Sequence, residues 1–370
     1  RDYYSTNPSS NLLDPSLWYK EGITYSAVTS RGTGFRYLPR GCVFDKGGAS
    51  IITSSNLYNL LAILNSRIAS LLFAVLNPSI NLQVRDIKAL PLIIPDDNSM
   101  ADSCRRLVEL SRDDWDEDET SLGFQRCPLV RGDTESLTEA MRLLQATINE
   151  RLLTARELMN HIDSLCCSLY GVNSAILPPW ESRDYPVREY SLLKEVKSFI
   201  SYGVGCIMGR YSTFTPGLIL ADSQQTVDDF RANVPNAGFL PDDDAIIPVL
   251  DGEWFGDDIV AQFRKWLEVT YGTETLNENV KFIEDALSKD LRKYFVKDFY
   301  KDHCTAYQVA GSGKRPIYWM FASPKSNFQA LVYMHRYTPS TVGQILTKYL
   351  REYIEKINAK VSQLEQSDRA

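Results

Sequence analysis

The sequence predicts an α+β, helix-rich protein, and three observations lead there. Short alternating runs between glycines fill residues 22 to 44, apolar series stepping by three and four recur from residue 57 to the end, and only two later runs look like strands. The organisation expected is a small β-containing domain over 1–98, a coiled-coil-like helical spacer over 99–180, a mainly helical domain with a small sheet over 181–340 and a C-terminal helix over 341–370. A chain of 370 residues, 44% hydrophobic and 24% charged, can fill two or three cores.

Taken in order, Trp18 and Tyr19 are expected to pack beneath the β unit. Ile23, Tyr25 and Ala27 alternate with polar neighbours, Phe35 and Tyr37 flank Arg36, and Cys42, Val43 and Phe44 make a third apolar run. Ser55 is a candidate N-cap for one helix carrying Leu57, Leu60, Leu61, Leu64, Ile68, Leu71, Leu72 and Val75, stopped by Asn77-Pro78. A linker PDDNSM precedes a helical pattern over 101–111, and the acidic run DDWDEDE at 113–119 is expected to be a solvated face. From Leu137 to Leu169 the apolar spacing predicts a long helix with a coiled-coil seam, ended by Tyr170-Gly171.

Pro178, Pro179 and Pro186 mark a further linker, followed by a helix over 191–208 whose Gly203 and Gly205, with Gly209 beyond them, predict close helix packing. Helices are expected over 257–271 and 277–303, buried strands at Ile317–Phe321 and Ala330–Met334, and a last helix with Leu346, Leu350, Tyr353, Ile357, Val361 and Leu364 at heptad-like spacing. The first residue is not Met and the last pattern is still running at the end, so a piece of a longer chain is expected.

Seven cysteines without a C-x-x-C pair argue against a disulfide framework or zinc site, and neither a signal pattern nor a membrane-length apolar run occurs, so a cytoplasmic protein without membrane contact is expected. Charge is uneven: residues 1 to 95 hold nine Lys/Arg against five Asp/Glu, and the remainder holds 31 against 42. A basic segment with polar turns suits nucleic acid, since cations displace phosphate counterions while amides and guanidinium groups read base edges. The candidate DNA-binding residues are Ser30, Arg31, Thr33, Arg36, Tyr37, Arg40 and Lys46 in the glycine-rich part, and Asn81, Gln83, Arg85 and Lys88 in the polar return. Competing readings are an Arg36–Asp45 ion pair and a turn in which Asn77 and Asn81 only satisfy backbone.

Other patterns fail as sites. Gly311-Ser312-Gly313-Lys314 continues with Arg315 and has Gln308 where a phosphate loop needs glycine, so a flexible loop is expected. His161, His303 and His335 are scattered, and neither Pro95-Asp96 nor Pro241-Asp242 is followed by the Asp/Glu-x-Lys of a metal nuclease.

The runs ITYSAVTSRGTGFRYLPRGCVFDKGG and AILNSRIASLLFAVLNPSINLQVRDIKALPL resemble the target-recognition region of the PglX family. These are the adenine-specific DNA methyltransferases of the phage-defence systems called BREX, or bacteriophage exclusion. KSFISYGVGCIMGRYS, AIIPVLDGEWFGDDIVAQFRKWL, LRKYFVKDFYKDHCTAYQ and RPIYWMFASPKSNFQALVYMHRY extend the likeness over nearly the whole chain, which resembles the C-terminal part of the family. The resemblance implies sequence recognition for a SAM-dependent adenine-N6 DNA methyltransferase. It implies double-stranded DNA, other BREX defence proteins and phage DNA-mimic inhibitors as partners.

The catalytic half is expected elsewhere. Amino-methyl transfer needs a [DNS]-P-P-[YFW] turn, and the only similar run is Leu177-Pro178-Pro179-Trp180, whose leucine cannot accept a hydrogen bond. No catalytic, metal or cofactor-binding residue is therefore expected here, and S-adenosylmethionine belongs to the full-length enzyme. The alternative function is a protein–protein interaction platform assembling a phage-defence complex.

Overall fold

Ile23, Tyr25 and Phe35 are almost wholly buried, and their alternation with polar neighbours is what forms the N-terminal sheet. The computed structural model describes residues 14–28, 34–45, 47–77, 79–309 and 313–367, and the fold is α+β and helix-rich. It divides into two compact units, residues 1–114 with 149–189 and residues 115–148 with 190–370.

In the first unit, β1 (Gly22–Tyr25) pairs antiparallel with β2 (Phe35–Leu38) on one side and β3 (Ser50–Ile51) on the other. The third strand is therefore not the Cys42–Phe44 run, where Val43 is exposed; an alternating pair at 50 and 51 meets Ile23 instead. The expected single helix is two, Leu57–Leu64 and Arg67–Leu76, bent by 63°. Asn56 rather than Ser55 caps the first, accepting from Asn59 N at 3.2 Å. The break is chemical: Ser66 caps the second helix by accepting from Ala69 N, and Asn65 turns its amide onto β2, accepting from Phe35 N at 3.0 Å and donating to Phe35 O at 3.1 Å. Phe35 stacks on Phe73 at 5.8 Å, joining sheet to helix. Tyr19 does not pack beneath the sheet; it is 60% exposed, while Trp18 is half-buried.

The helix over Ser99–Trp115 overruns its expected end and enters the acidic run, which is not a uniform solvated face. Asp114 is buried and accepts from Arg188 at 2.6 Å. Glu119, in the second unit, accepts from Ser201 Oγ at 2.5 Å, and burial pushes its carboxyl up to about 7. The long helix runs Leu137–Tyr170 and stops where Gly171 takes φ 64°. Its seam is buried by several elements rather than one partner helix: Leu137, Met141, Leu144 and Ile148 lie in the second unit's core, Ile162 and Cys166 in the first's.

The second unit is built on the helices Leu192–Met208, Ile259–Tyr271 and Leu276–Leu287. Gly203 is required there, because a Cβ would lie 2.6 Å from the Trp266 ring. The helix expected to run to 303 breaks at Ser288, which closes the Leu276–Leu287 helix in the left-handed region at φ 52°, and Asp290 starts the next by accepting from Lys293 N. Leu291–Tyr294, a π turn at Phe295–Phe299 and Tyr300–Ala306 follow, with Tyr294, Phe295 and Phe299 in the core. A short β4 (Ile246–Pro248) pairs with the last strand of the chain. β5 (Gln308–Val309) and β6 (Gly313–Lys314) flank residues 310–312, which lie outside the described set, as does the loop expected there. β7 (Tyr318–Ala322) and β8 (Gln329–Tyr333) complete an antiparallel sheet of order β4-β8-β7. The C-terminal helix is Arg351–Ser367, preceded by a π segment Ile345–Leu350. All seven cysteines are unpaired, and among the described residues no single helix is long and apolar enough to cross a membrane.

Candidate nucleic-acid interface

Alternation along β2 buries Phe35 and turns its neighbour Arg36 outward, opposite Thr24 of β1. Arg36 folds back so that Nη1 donates to Phe35 O at 3.1 Å. The Arg36–Asp45 pair does not form, because Asp45 accepts from the backbone of Gly47 and Gly48. Since Asn65 holds both backbone groups of Phe35, the helix break fixes where Arg36 projects.

Tyr37 is committed inside the unit. Its hydroxyl donates to Glu21 at 2.7 Å and its ring stacks on Tyr58 at 5.9 Å, with burial and the Glu21 charge raising the phenol well above its ordinary value. Arg40 is different: its side chain is 84% exposed, and Glu21 is 3.8 Å away, a contact worth little in water.

The polar return is tied to the end of β1. Val28 bridges Asn81, and Leu82 N donates to Ala27 O at 2.9 Å. Asn77 satisfies the turn, accepting from Ser79 N and donating to Asn81 O and Asp86 Oδ2, so its amide is structural. The Asn81 and Gln83 side chains are exposed, with Gln83 N donating to Asp86 Oδ2 at 2.8 Å at the start of the short helix Val84–Lys88. Arg85 is 3.6 Å from Asp86 with its side chain largely in water, and Lys88 is exposed.

Of the candidates, Ser30, Arg31, Thr33 and Lys46 lie outside the described residues. Arg36, Arg40, Asn81, Gln83, Arg85 and Lys88 share the first unit's surface, and Tyr37 packs within it. The residue that sequence reasoning missed is Asn65, whose signal was an Asn-Ser pair inside an apolar helical run.

The methyl-transfer turn has another use. Leu177 is buried, Pro178 O accepts from Arg67 Nη1 at 3.0 Å, and the Arg67 guanidinium covers the Trp180 ring at 5.5 Å. Arg67 thus engages the Pro178 carbonyl and one face of the Trp180 ring, and Leu177 offers no side-chain acceptor, so this turn does not match the one that amino-methyl transfer from S-adenosylmethionine needs. Among the described residues no His/Cys/Asp/Glu group could hold a metal ion.

No protein-family model matches the chain. Over 364 residues, 94% of the chain, it is 34% identical to the adenine-specific methyltransferase PglX of Lacticaseibacillus casei (strain Zhang). The chain is similar to part of PglX. Adenine-specific methyltransferase BrxX of Escherichia coli O9:H4 (strain HS) is 29% identical over 96% of the chain. The chain spans less than a third of both relatives, 29% of PglX and 32% of BrxX.

Proposed function

We propose that this chain is the sequence-recognition portion of an adenine-N6 DNA methyltransferase of the PglX type, acting in phage defence. In this reading residues 1–98 hold duplex DNA, 99–180 serve as a helical spacer, 181–340 form the mainly helical domain and 341–370 the C-terminal helix. Transfer from S-adenosylmethionine is carried out by residues outside this chain.

The observation that carries the reading is the set of exposed cations on the first unit: Arg36, Arg40, Arg85 and Lys88 face water, and among the described residues none has a strong acidic partner. Burying a cation in a phosphate contact costs least where it is not already paired. Asn81 and Gln83 beside them supply amides of the kind that reads adenine.

The test is duplex binding by the purified chain over a salt series. Log affinity should fall steeply with log salt, and Arg40→Ala with Lys88→Ala should each lower the slope by about one phosphate contact. Binding that is absent at low salt, or a slope unmoved by both variants, would refute the reading. S-adenosylmethionine should leave the melting temperature of the chain unchanged.

A further inference from the structure

The C-terminal helix Arg351–Ser367 has two faces with different fates. One packs onto the second unit: Tyr353 meets Trp254 edge to face at 5.4 Å, and Lys356 donates to Trp254 O at 2.7 Å while lying over the Phe255 ring. The adjacent face carries Ile354, Ile357, Val361 and Leu364, stepping by three and four. Ile354 and Val361 are each 47% exposed and Leu364 54%. Apolar residues recurring every 3.5 positions on an exposed helix form the seam of a left-handed coiled coil, which stays in contact only with another helix wound around it.

The heptad identifies that helix. Ile354 and Val361 fall at a, and Ile357 and Leu364 at d, with the half-buried Leu350 one d earlier. β-branched residues at a with leucine at d, as at Val361 and Leu364, favour two parallel strands, and Ile357 is the d position that departs from that pattern. Lys360 then falls at g and Glu365 at the following e, the two positions that face each other across a parallel pair. Both are exposed, and among the described residues neither forms an ion pair. The seam is thus complementary to itself: Lys360 of one copy meets Glu365 of the other twice per dimer. An antiparallel alignment would bring g against g and e against e, like charge against like.

We propose that the chain self-associates through this face, two copies pairing as a short parallel coiled coil over residues 354–364. The occupant of the seam is a second copy of the same helix, and the site is independent of the DNA-binding reading.

Sedimentation of the purified chain over a wide concentration range tests this. The mass should rise with concentration from the 42.0 kDa chain toward twice that value. Val361→Glu should hold it at one chain, with an unchanged circular-dichroism spectrum showing that the fold survives. Lys360→Glu and Glu365→Lys should each weaken pairing roughly five-fold, since each turns two attractive exposed pairs repulsive. The double exchange Lys360→Glu with Glu365→Lys should restore it. A single-chain mass at every concentration, a stoichiometry other than two, pairing that survives Val361→Glu, or a double exchange that fails to restore it would overturn the proposal.

Discussion

The two main sheets of this protein are both three-stranded and antiparallel, yet they meet their surroundings differently. Along β2 of the first sheet burial is broken, with Phe35 buried and its neighbour Arg36 exposed. Along β8 of the second every residue from Gln329 to Tyr333 is buried. A sheet covered on one face keeps a free row of side chains for a ligand, whereas one covered on both spends all its side chains on packing. The difference teaches where function can be read. The first sheet exposes Arg36, while the continuous burial of β8 reports only a core.

Buried ion pairs are where the two regions should behave alike, and they carry the largest expected effect. Asp258 accepts from Arg292 at 2.8 Å in the second unit, and Asp163 accepts from Arg67 at 2.7 Å in the first. Removing either acid leaves a largely buried guanidinium uncompensated, so Asp258→Ala and Asp163→Ala should each cost about 3 to 5 kcal/mol in urea unfolding. A loss near zero in only one of them would show that its arginine is rehydrated, and would place the contrast between the units in the core rather than at the surface.

His303 sharpens the comparison, since it supports the sheet that contains the fully buried β8. Its Nε2 accepts from Ile317 N at 3.1 Å and Tyr318 N at 3.2 Å, and burial with the nearby Arg210 charge holds the imidazole at about 3 against an ordinary 6.5. The folded protein therefore keeps it neutral while the unfolded chain takes up a proton. Its contribution is fully present above pH 6.5 and is lost as pH falls toward 3, at ~1.4 kcal/mol per pH unit. The stability gap between the wild type and His303→Gln should be constant above that window and shrink within it. Using the gap cancels the opposite trend from Glu119 and from Asp242, whose carboxyls burial raises. A gap that is flat across the acid range would break the assignment.

The smallest effect concerns Tyr37. Tyr37→Phe removes the bond to Glu21 and should cost about 1 kcal/mol of stability, with DNA affinity unchanged because the ring packs on Tyr58 rather than facing outward. A large affinity loss without a stability loss would return Tyr37 to the recognition surface.

What the sequence makes legible is what local chemistry controls. The helix ending at Tyr170 before a left-handed Gly171 and the N-terminal alternation both follow from residues near one another in the chain. What it hides depends on distant partners. The break at Asn65 depends on Phe35, thirty positions earlier, and the burial of Asp114 depends on Arg188. β4 is only three residues long and ends in proline, too short for a period to register. Among the candidate site residues, sequence could rank cations by charge but not by pairing. It gave Tyr37 the same standing as Arg40, although one donates to a half-buried carboxylate and the other stands in water.

The division of the chain into two discontinuous units has a consequence for its synthesis. Residues 115–148 belong to the second unit but are translated before 149–189 finish the first. The ribosome therefore delivers the first 34 residues of one unit into the middle of the other, and they must wait for residue 190 onward before their core partners exist. Leu137, Leu144 and Ile148 share their core with Phe199 and Val280, which are translated later. A chaperone that binds apolar helical segments would meet this chain most often there.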